Sequence, residues 1–247
     1  MKKTISLILC LVFCFACFAP SALAADKVLK VATNVAFPPY EYYEDEKVVG
    51  IDVDIVQAIC DKLGYEMELS DMEFGSIITA VAAGKVDVGF GAITITEERA
   101  KSVNFTTSYS TGIQSIIVKE DSPITSVEDL EAKGIKIGVQ QDTTGDIYAT
   151  DQFGEDHMAR FNKGADAVQA LITGKVNCVI IDNSPAETFV AQNKGLKILP
   201  TVYAEEDYGF ELNKDATELY EEFNGALEEL LKDGTVQKII DKYISAD

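Results

Sequence analysis

Hydrophobic positions along the chain follow two different periods. Short apolar runs at Leu29–Thr33 and Val86–Phe90 predict buried strands. Apolar residues three or four positions apart predict helices at Val53–Leu63 and Ser76–Ala83, and Asp52 stands where a helix cap is expected. Strands that alternate with helices in this way are typical of an α/β protein.

One part of this pattern occurs twice, at an offset of 90 residues. The segment Ala80–Asp87 (AVAAGKVD) resembles Ala170–Asn177 (ALITGKVN), and each copy places Gly-Lys-Val between a helix and a strand. A similar strand opens each half, at Leu29–Thr33 and at Ile135–Val139. A single Gly-Lys-Val is an ordinary helix stop, but two copies with matching neighbours indicate two lobes of similar design.

The repeat also predicts where a ligand would bind. In open α/β sheets, ligands bind beyond the carboxyl ends of the strands. Ala92 and Asp182 take equivalent positions just past their strands, and the opening strands lead to Asn34 and Gln140. We therefore expect these four residues to line one crevice between two lobes.

The last part of the chain predicts how the two lobes are connected. Apolar residues at helical spacing run from Leu219 to Leu231, and a second helical pattern begins at Val236 after Gly234. Such helices need a sheet to cover, and we expect them to return to the first lobe. The chain would then cross between the lobes twice, and two crossings form a hinge.

The N-terminus has the layout of a cleaved secretory signal. Two lysines precede an apolar core at Ile5–Phe18, and Ala22–Ala24 form a small-x-small cleavage site. A retained membrane anchor would need a longer apolar core. Lipoprotein processing before Cys17 is not expected, because the residue three positions upstream is Cys14 and not the usual Leu. We expect residues 1–24 to be a signal peptide, cut after Ala24, and the mature protein to be periplasmic.

Charge and hydropathy exclude two classes of protein. The chain of 247 residues has 21 Lys and Arg against 41 Asp and Glu, a net charge of −20. Because a nucleic-acid phosphate backbone is bound by a basic surface, we expect no nucleic-acid partner. The strong apolar run lies at the N-terminus, which argues against a polytopic membrane protein.

Common catalytic and cofactor motifs are absent from the sequence, including G-x-S-x-G, H-E-x-x-H, the P-loop and the Rossmann fingerprint. His157 is the single histidine, so the usual zinc ligands cannot be assembled. We expect no cofactor and no metal. Cys60 and Cys178, the cysteines beyond the signal peptide, lie in apolar patterns, which favours free buried thiols over a disulfide.

Three features have the chemistry of a small polar ligand site. Arg99 follows a strand end near Thr94, where it could hold a carboxylate with two charge-assisted bonds or pair with the glutamates before it. Phe37 and Phe74 could form the walls of a pocket or belong to the core. The polar turn 140–145 precedes a helix, and amides at a helix start favour anionic groups. These residues by themselves leave each alternative open.

Short motifs spread over the chain after the signal peptide carry a resemblance. They are Ala32–Asn34, Phe37–Tyr40, Gly50–Ile55, Ile93–Arg99, Thr143–Gly145, Ile181–Asp182 and Tyr208–Phe210. Together they resemble the bacterial extracellular solute-binding proteins of family 3, the polar amino-acid receptors of ABC importers. The chain is most similar to the glutamine-binding members.

The resemblance implies an architecture and partners. The fold would be α/β, two-lobed and like the type II periplasmic binding proteins, with a ligand cleft between lobes joined by a two-strand hinge. Residues 25–110 and 209–247 would form lobe 1, and residues 111–208 lobe 2. The protein would be a monomeric amino-acid-transport receptor that delivers its ligand to the membrane permease of an ABC transporter.

The resemblance also implies roles for individual residues. Arg99 would hold the ligand α-carboxylate, with help from Thr94 and the backbone N–H of Thr144. Asp182 and the carbonyl of Ala92 would hold the α-ammonium group. Phe37 and Phe74 would lie on either side of the ligand side chain, and Asn34 and Gln140 would lie near its end.

Departures from the family pattern bear on the ligand. Relatives often have aspartate at the position of Asn34, and the glutamine-binding member has lysine at that of Gln140; both positions here are uncharged amides. Asp142 replaces a common loop glycine, which puts the conformation of that loop in doubt. We expect a neutral polar amino acid such as glutamine. The alternative is a cationic amino acid (arginine, lysine or histidine), whose charge would be matched by Glu41 or Glu211.

A catalytic alternative is a cyclohexadienyl-dehydratase-like enzyme with Asp182 as the acid and Arg99 on the substrate carboxylate. The sequence shows no evident second acid–base group for that chemistry. We therefore expect a binding protein and not an enzyme.

Overall fold

The computed structural model describes residues 27–244. The predicted signal peptide lies outside this range, and so does its cleavage site. Within the described range, no helix has both the length and the apolar character needed to cross a membrane.

The described chain folds into strands and helices in alternation. The strands are β1 (Lys27–Thr33), β2 (Tyr42–Glu44), β3 (Lys47–Val49), β4 (Tyr65–Asp71), β5 (Val88–Gly89), β6 (Val103–Phe105), β7 (Ser110–Lys119), β8 (Ile137–Gln140), β9 (Met158–Phe161), β10 (Cys178–Asp182), β11 (Leu196–Ile198), β12 (Ala204–Tyr208) and β13 (Glu211–Asn213). The helices are α1 (Ile51–Leu63), α2 (Phe74–Ala82), α3 (Thr144–Phe153), α4 (Gly164–Ile172), α5 (Asn183–Gln192), α6 (Thr217–Lys232) and α7 (Thr235–Tyr243). The predicted α/β class is confirmed.

The first sheet has the strand order β4-β1-β5-β13-β6. Strands β4 and β5 run parallel to β1, whereas β13 runs antiparallel to β5 and β6. Helices α6 and α7 pack against α1, so the end of the chain covers the sheet with which the chain begins. The core of this lobe contains apolar side chains from strands and helices alike, including Val31, Ile55, Ile59, Phe223 and Leu227.

The second sheet has the order β11-β7-β10-β8-β9, and β12 also pairs with β7. Strands β8, β9 and β10 are parallel, while β7 is antiparallel to β10, β11 and β12. Helices α3, α4 and α5 pack on this sheet. The structure thus has two lobes, each built on its own α/β sheet.

The internal repeat forms the same turn in both lobes. Gly84 follows α2 with φ +65°, and Gly174 follows α4 with φ +75°, a left-handed conformation that glycine adopts without steric cost. The next residue donates its N–H to the helix in each case, over 2.9 Å from Lys85 to the carbonyl oxygen of Ala80 and 2.8 Å from Lys175 to that of Ala170. The sequence repeat therefore reflects a structural repeat.

Two chain segments connect the lobes, between β6 and β7 and between β12 and β13. They are hydrogen bonded to each other, since Thr106 N–H donates to the Phe210 carbonyl over 3.0 Å and Tyr109 N–H to the Tyr208 carbonyl over 3.1 Å. This pair of segments is the two-strand hinge.

Several local predictions differ from the structure. Helix α2 begins at Phe74 instead of Ser76, and β5 is limited to Val88–Gly89 because it is paired only there, between β1 and β13. The prediction that Asp52 caps α1 is wrong: the cap position is Gly50, and Asp52 lies inside the first turn. Its carboxylate has long-range partners, described below.

The cysteine prediction is confirmed in the part of the chain that the structure describes. Cys60 and Cys178 are both buried and free. They lie in different lobes, Cys60 within α1 and Cys178 in β10 of the second sheet.

Candidate functional site

A small cavity of about 20 Å³ lies between the lobes, at the carboxyl ends of β1, β5, β8 and β10. The sequence-predicted site residues all line it: Asn34, Phe37, Phe74, Ala92, Thr94, Arg99, Gln140, Thr144 and Asp182. The lining also includes Gly91 and Thr143, which were not predicted, and Glu41, which was expected there only if the ligand is cationic. The structure therefore brings together residues from both halves of the chain.

Arg99 enters the cavity from a short 3-10 turn between β5 and β6. Its Nη1 donates to the Thr94 carbonyl over 2.9 Å, and its Nη2 donates across the cleft to the Asp142 carbonyl over 3.1 Å. The guanidinium lies 5.5 Å from the centre of the Phe74 ring. The alternative of an ion pair with the preceding glutamates does not hold: within residues 27–244 Arg99 forms no salt bridge, and Glu98 pairs with Lys101.

Burial sets the electrostatics of Arg99. Desolvation lowers the pKa of the guanidinium, while the carboxylates of Glu211 and Glu206 oppose that shift. An arginine side chain stays protonated in proteins. The cavity lining thus contains a fixed positive charge, which is suited to a carboxylate.

Asp182 faces the cavity from the other lobe, at the end of β10. Its carboxylate accepts hydrogen bonds from the Tyr208 hydroxyl and, over 3.0 Å, from Gln114 Nε2. Burial and the neighbouring Glu206 raise the pKa of Asp182 well above its usual range. An ammonium group placed beside it would favour the charged carboxylate, so the site can bind a cationic group.

Two amide side chains meet at another part of the cavity. Gln140 Nε2 donates to Asn34 Oδ1 over 3.1 Å, which connects the lobes, and Asn34 Nδ2 donates to the Met72 carbonyl over 2.8 Å. The hydroxyls of Thr94 and Thr144 also meet across the cleft, at 3.3 Å. These contacts place the two lobes in a closed arrangement.

Aromatic rings form part of the cavity wall. Phe37 is buried and stacks with Tyr40 at a centroid distance of 6.1 Å. Tyr40 meets Tyr208 edge to face at 5.6 Å. Phe74 is the first residue of α2 and is partly exposed to the cleft. The two phenylalanines offer apolar contact to a ligand body between the polar groups.

Backbone groups reach the cavity where the chain leaves β5. Gly91 and Ala92 both have positive φ, +147° and +46°, and the Asp52 carboxylate accepts their N–H groups over 3.1 and 2.8 Å. Tyr109 donates its hydroxyl to the same carboxylate over 2.7 Å. Asp52 thus fixes the loop that presents Ala92, a role that the helical pattern around Asp52 did not predict.

The loop before α3 keeps a glycine-like conformation although Asp142 replaces the common glycine. Asp142 has φ +66°, a left-handed conformation that costs a residue other than glycine about 1 kcal/mol. Its N–H donates to Asp146 Oδ2 over 3.2 Å, and Thr143 Oγ1 accepts the N–H of Asp146 at the start of α3. These bonds hold the loop open towards Arg99.

Glu41 is the other carboxylate of the cavity. It is buried, and its Oε2 has no hydrogen-bond partner within residues 27–244. Burial and the nearby Asp52 and Asp182 raise the pKa of Glu41 well above its usual range. Over the same residues, no group of three or more His, Cys, Asp and Glu side chains is arranged to hold a metal ion.

Comparison with known proteins places this architecture in a family. The sequence profile of the bacterial extracellular solute-binding proteins, family 3, matches residues 29–246. The arginine-binding extracellular protein ArtP of Bacillus subtilis (strain 168) is 32% identical over the full length of both chains.

Solved structures agree with the sequence comparison. An ancestral arginine-binding protein bound to glutamine is 38% identical, has a TM-score of 0.83, and the match covers 89% of this chain and 98% of that one. The ancestral amino acid-binding protein AncCDT-1, a precursor of cyclohexadienyl dehydratase, is 30% identical with a TM-score of 0.81, covering 87% and 95%.

Proposed function

The chain belongs to the bacterial extracellular solute-binding proteins of family 3, and we propose that it binds a neutral polar amino acid such as glutamine by closing its lobes. At the coarser level the chain is an amino-acid-binding receptor of the ABC-transporter type. The observation that carries the proposal is that Arg99 from one lobe and Asp182 from the other line one cavity.

A free amino acid needs both of these groups. Its α-carboxylate and α-ammonium lose their hydration on binding, so each requires a fixed partner of opposite charge. Hydrogen bonds to charged groups contribute about 1.5–3 kcal/mol each. Since Arg99 and Asp182 lie on opposite lobes, only the closed arrangement offers both, and ligand binding would shift the hinge towards closure.

The uncharged pair Asn34 and Gln140 supports a neutral side chain. The two amides are hydrogen bonded to each other, and each also donates to a backbone carbonyl, Asn34 to that of Met72 and Gln140 to that of Asn162. A side-chain amide of the ligand can exchange hydrogen bonds with both of them without any charge to neutralise. A similar structure is that of an ancestral arginine-binding protein bound to glutamine.

A second candidate ligand is a cationic amino acid, which Glu41 favours. The unpaired Oε2 of Glu41 is buried in the cavity wall, where a guanidinium or ammonium group would satisfy it. The similar Bacillus subtilis protein is named as arginine-binding.

A thermal-shift screen of the twenty amino acids tests the proposal, since a ligand at about 100 times its Kd adds about 2.7 kcal/mol of stability. Glutamine should give the largest shift if the neutral ligand is right. Arginine should give the largest shift if the ligand is cationic. In that case Glu41→Gln should abolish the arginine shift, whereas Glu44→Gln, which changes an exposed neighbour, should leave it in place. A screen in which no amino acid stabilises the protein would refute both.

We infer that the site binds and does not catalyse. The carboxylate of Asp182, the candidate acid, is already engaged by Tyr208 and Gln114. Incubation with prephenate or arogenate should give no aromatic product, and formation of one would overturn this inference.

The remaining parts of the proposal concern location and partners. We propose that the protein works outside the cytoplasm, in the periplasm, after removal of its signal peptide. It would act as a monomer and hand its ligand to the membrane permease of an ABC transporter. The acidic composition of the chain, with a net charge of −20, supports solubility outside the membrane.

A further inference from the structure

The carboxyl group of Glu211 lies outside the ligand cavity, in a groove that Arg99 also lines. Glu211 in β13 lines a larger groove on the outer side of Arg99, together with Phe74, Ile77 and Ile93. The side chain of Glu211 is only 1% exposed, and within residues 27–244 neither Oε1 nor Oε2 has a hydrogen-bond partner. A buried carboxyl group without partners is costly when it is charged.

The neighbours of Glu211 within its own lobe are mostly apolar. Strand pairing places it opposite Gly89 in β5 and Phe105 in β6. Gly89 makes room for it, because a Cβ at that position would lie 3.1 Å from Glu211 Oε2 and 2.6 Å from the side chain of Ile77. The carboxyl group is therefore packed between a glycine and the apolar side chains of α2.

Arg99 is the charged group whose field reaches Glu211. It lowers the pKa of Glu211, but burial outweighs it and raises the pKa to about 7. Four charged residues of the second lobe also line the groove: Asp142, Asp146, Asp151 and Arg160. Of these, Arg160 forms an ion pair with Asp146. The charge of Glu211 thus depends on how far Arg99 is available to stabilise it.

We propose that Glu211, which lines the same groove as Arg99, takes up a proton when the carboxylate of an amino acid binds to the guanidinium. This rests on the proposed function, in which Arg99 holds the ligand carboxylate. The proton comes from the solvent and is added to a carboxylate oxygen of Glu211; no other bond forms or breaks.

The physical reason is competition for one positive charge. In the empty site, Arg99 stabilises the ionised Glu211. A bound carboxylate neutralises Arg99 and places a second negative charge nearby, and both effects favour the protonated form of Glu211. By linkage, ligand affinity should fall as the pH rises above about 7, by at most about tenfold per pH unit for one proton.

Asp182 responds in the opposite direction and has to be separated from Glu211. An α-ammonium group beside Asp182 favours the ionised carboxylate, so binding there releases a proton. The comparison of the wild-type protein with Glu211→Gln isolates Glu211, because Asp182 is common to both proteins.

The experiment is calorimetric titration with the amino acid that gives the largest thermal shift, at about pH 6 and about pH 8 in buffers of different ionisation enthalpy. The wild-type protein should take up more protons on binding than E211Q, by up to about one proton per ligand. E211Q should bind as tightly as wild type near pH 6 and several-fold more tightly near pH 8.

The matched control is Glu97→Gln, which removes an exposed carboxylate two residues from Arg99 and should bind as wild type does at both pH values. Equal proton exchange by wild type and E211Q, with unchanged relative affinity, would overturn the role of Glu211. That outcome leaves the proposed function intact, whereas an Arg99→Ala variant that binds normally would refute both. If E211Q does not fold, Glu211→Ala provides the same comparison.

Discussion

The two lobes share one scaffold but end their equivalent strands differently. After β5, Gly91 and Ala92 leave the sheet with positive φ, so lobe 1 presents backbone groups to the cleft. After β10, helix α5 begins at once with Asn183, so lobe 2 presents the carboxylate of Asp182. The helix–turn–strand that precedes these ends is the same in both lobes.

This difference shows what the duplication leaves open. The repeated turn fixes where a strand ends, and the residues after the strand decide which charge stands there. Lobe 1 adds the cation Arg99 a short distance along the chain, while lobe 2 adds an anion directly. Two similar halves thereby form a cleft with opposite charges on its two sides.

The largest expected effect comes from removing either charge. Arg99→Ala and Asp182→Ala should each weaken ligand binding at least tenfold, because truncating one member of a buried charge pair costs about 2–5 kcal/mol. Isothermal titration calorimetry measures the change. Lys101→Ala removes an exposed cation in the same turn as Arg99 and should leave the affinity unchanged. Normal binding by both of the first two variants would reject the site.

A smaller effect is expected from the buried acids whose pKa is raised, more of which lie in lobe 1 than in lobe 2. Burial raises the pKa of Asp52 to about 6 and that of Glu211 to about 7. A carboxyl group whose pKa is raised in the folded state stabilises the protein fully below its pKa in the unfolded chain. This stabilisation is lost as the pH rises through the pKa of the folded state. The ligand-free protein should therefore be less stable at about pH 8 than at about pH 5, by on the order of 1–3 kcal/mol.

Urea denaturation at the two pH values tests this expectation. The difference in the free energy of unfolding should shrink in E211Q, which cannot ionise at that position. Stability that stays constant or increases towards pH 8 would contradict the assignment of these acids as buried groups with a raised pKa.

The smallest effect concerns the turn that the lobes have in common. Gly84→Ala and Gly174→Ala should each reduce the free energy of unfolding by about 1 kcal/mol, because both glycines have positive φ and neither has a close neighbour. Gly225→Ala, within helix α6 and without neighbours inside 4 Å, should instead stabilise the protein by about 0.5–1 kcal/mol. Clearly unequal costs in the two lobes would mean that the turns are not equivalent.

Much of this architecture could be predicted from local patterns. Helix α1, the turns after α2 and α4, and the convergence of Asn34, Ala92, Gln140 and Asp182 all follow from periodicity and the repeat. These features depend on short-range geometry and on where parallel strands end, which a sequence records directly.

Other features could not be predicted, because they depend on contacts between distant parts of the chain. Asp52 has the sequence position of a helix cap, yet its partners are Gly91, Ala92 and Tyr109. Among 41 acidic residues, nothing local distinguished Glu211 as a buried one, since its burial depends on Gly89 in a neighbouring strand. Only the tertiary structure reveals which carboxylates are out of water.

The central claim is that Arg99 holds the carboxylate of a free amino acid. It is tested most directly by titrating the wild-type protein and Arg99→Ala with the best amino acid from the screen and with its decarboxylated analogue. The wild-type protein should bind the amino acid at least about tenfold more tightly than the analogue, a difference of about 1.4 kcal/mol, and Arg99→Ala should bind the two equally. If the variant still prefers the amino acid as strongly as the wild-type protein does, Arg99 does not hold the carboxylate.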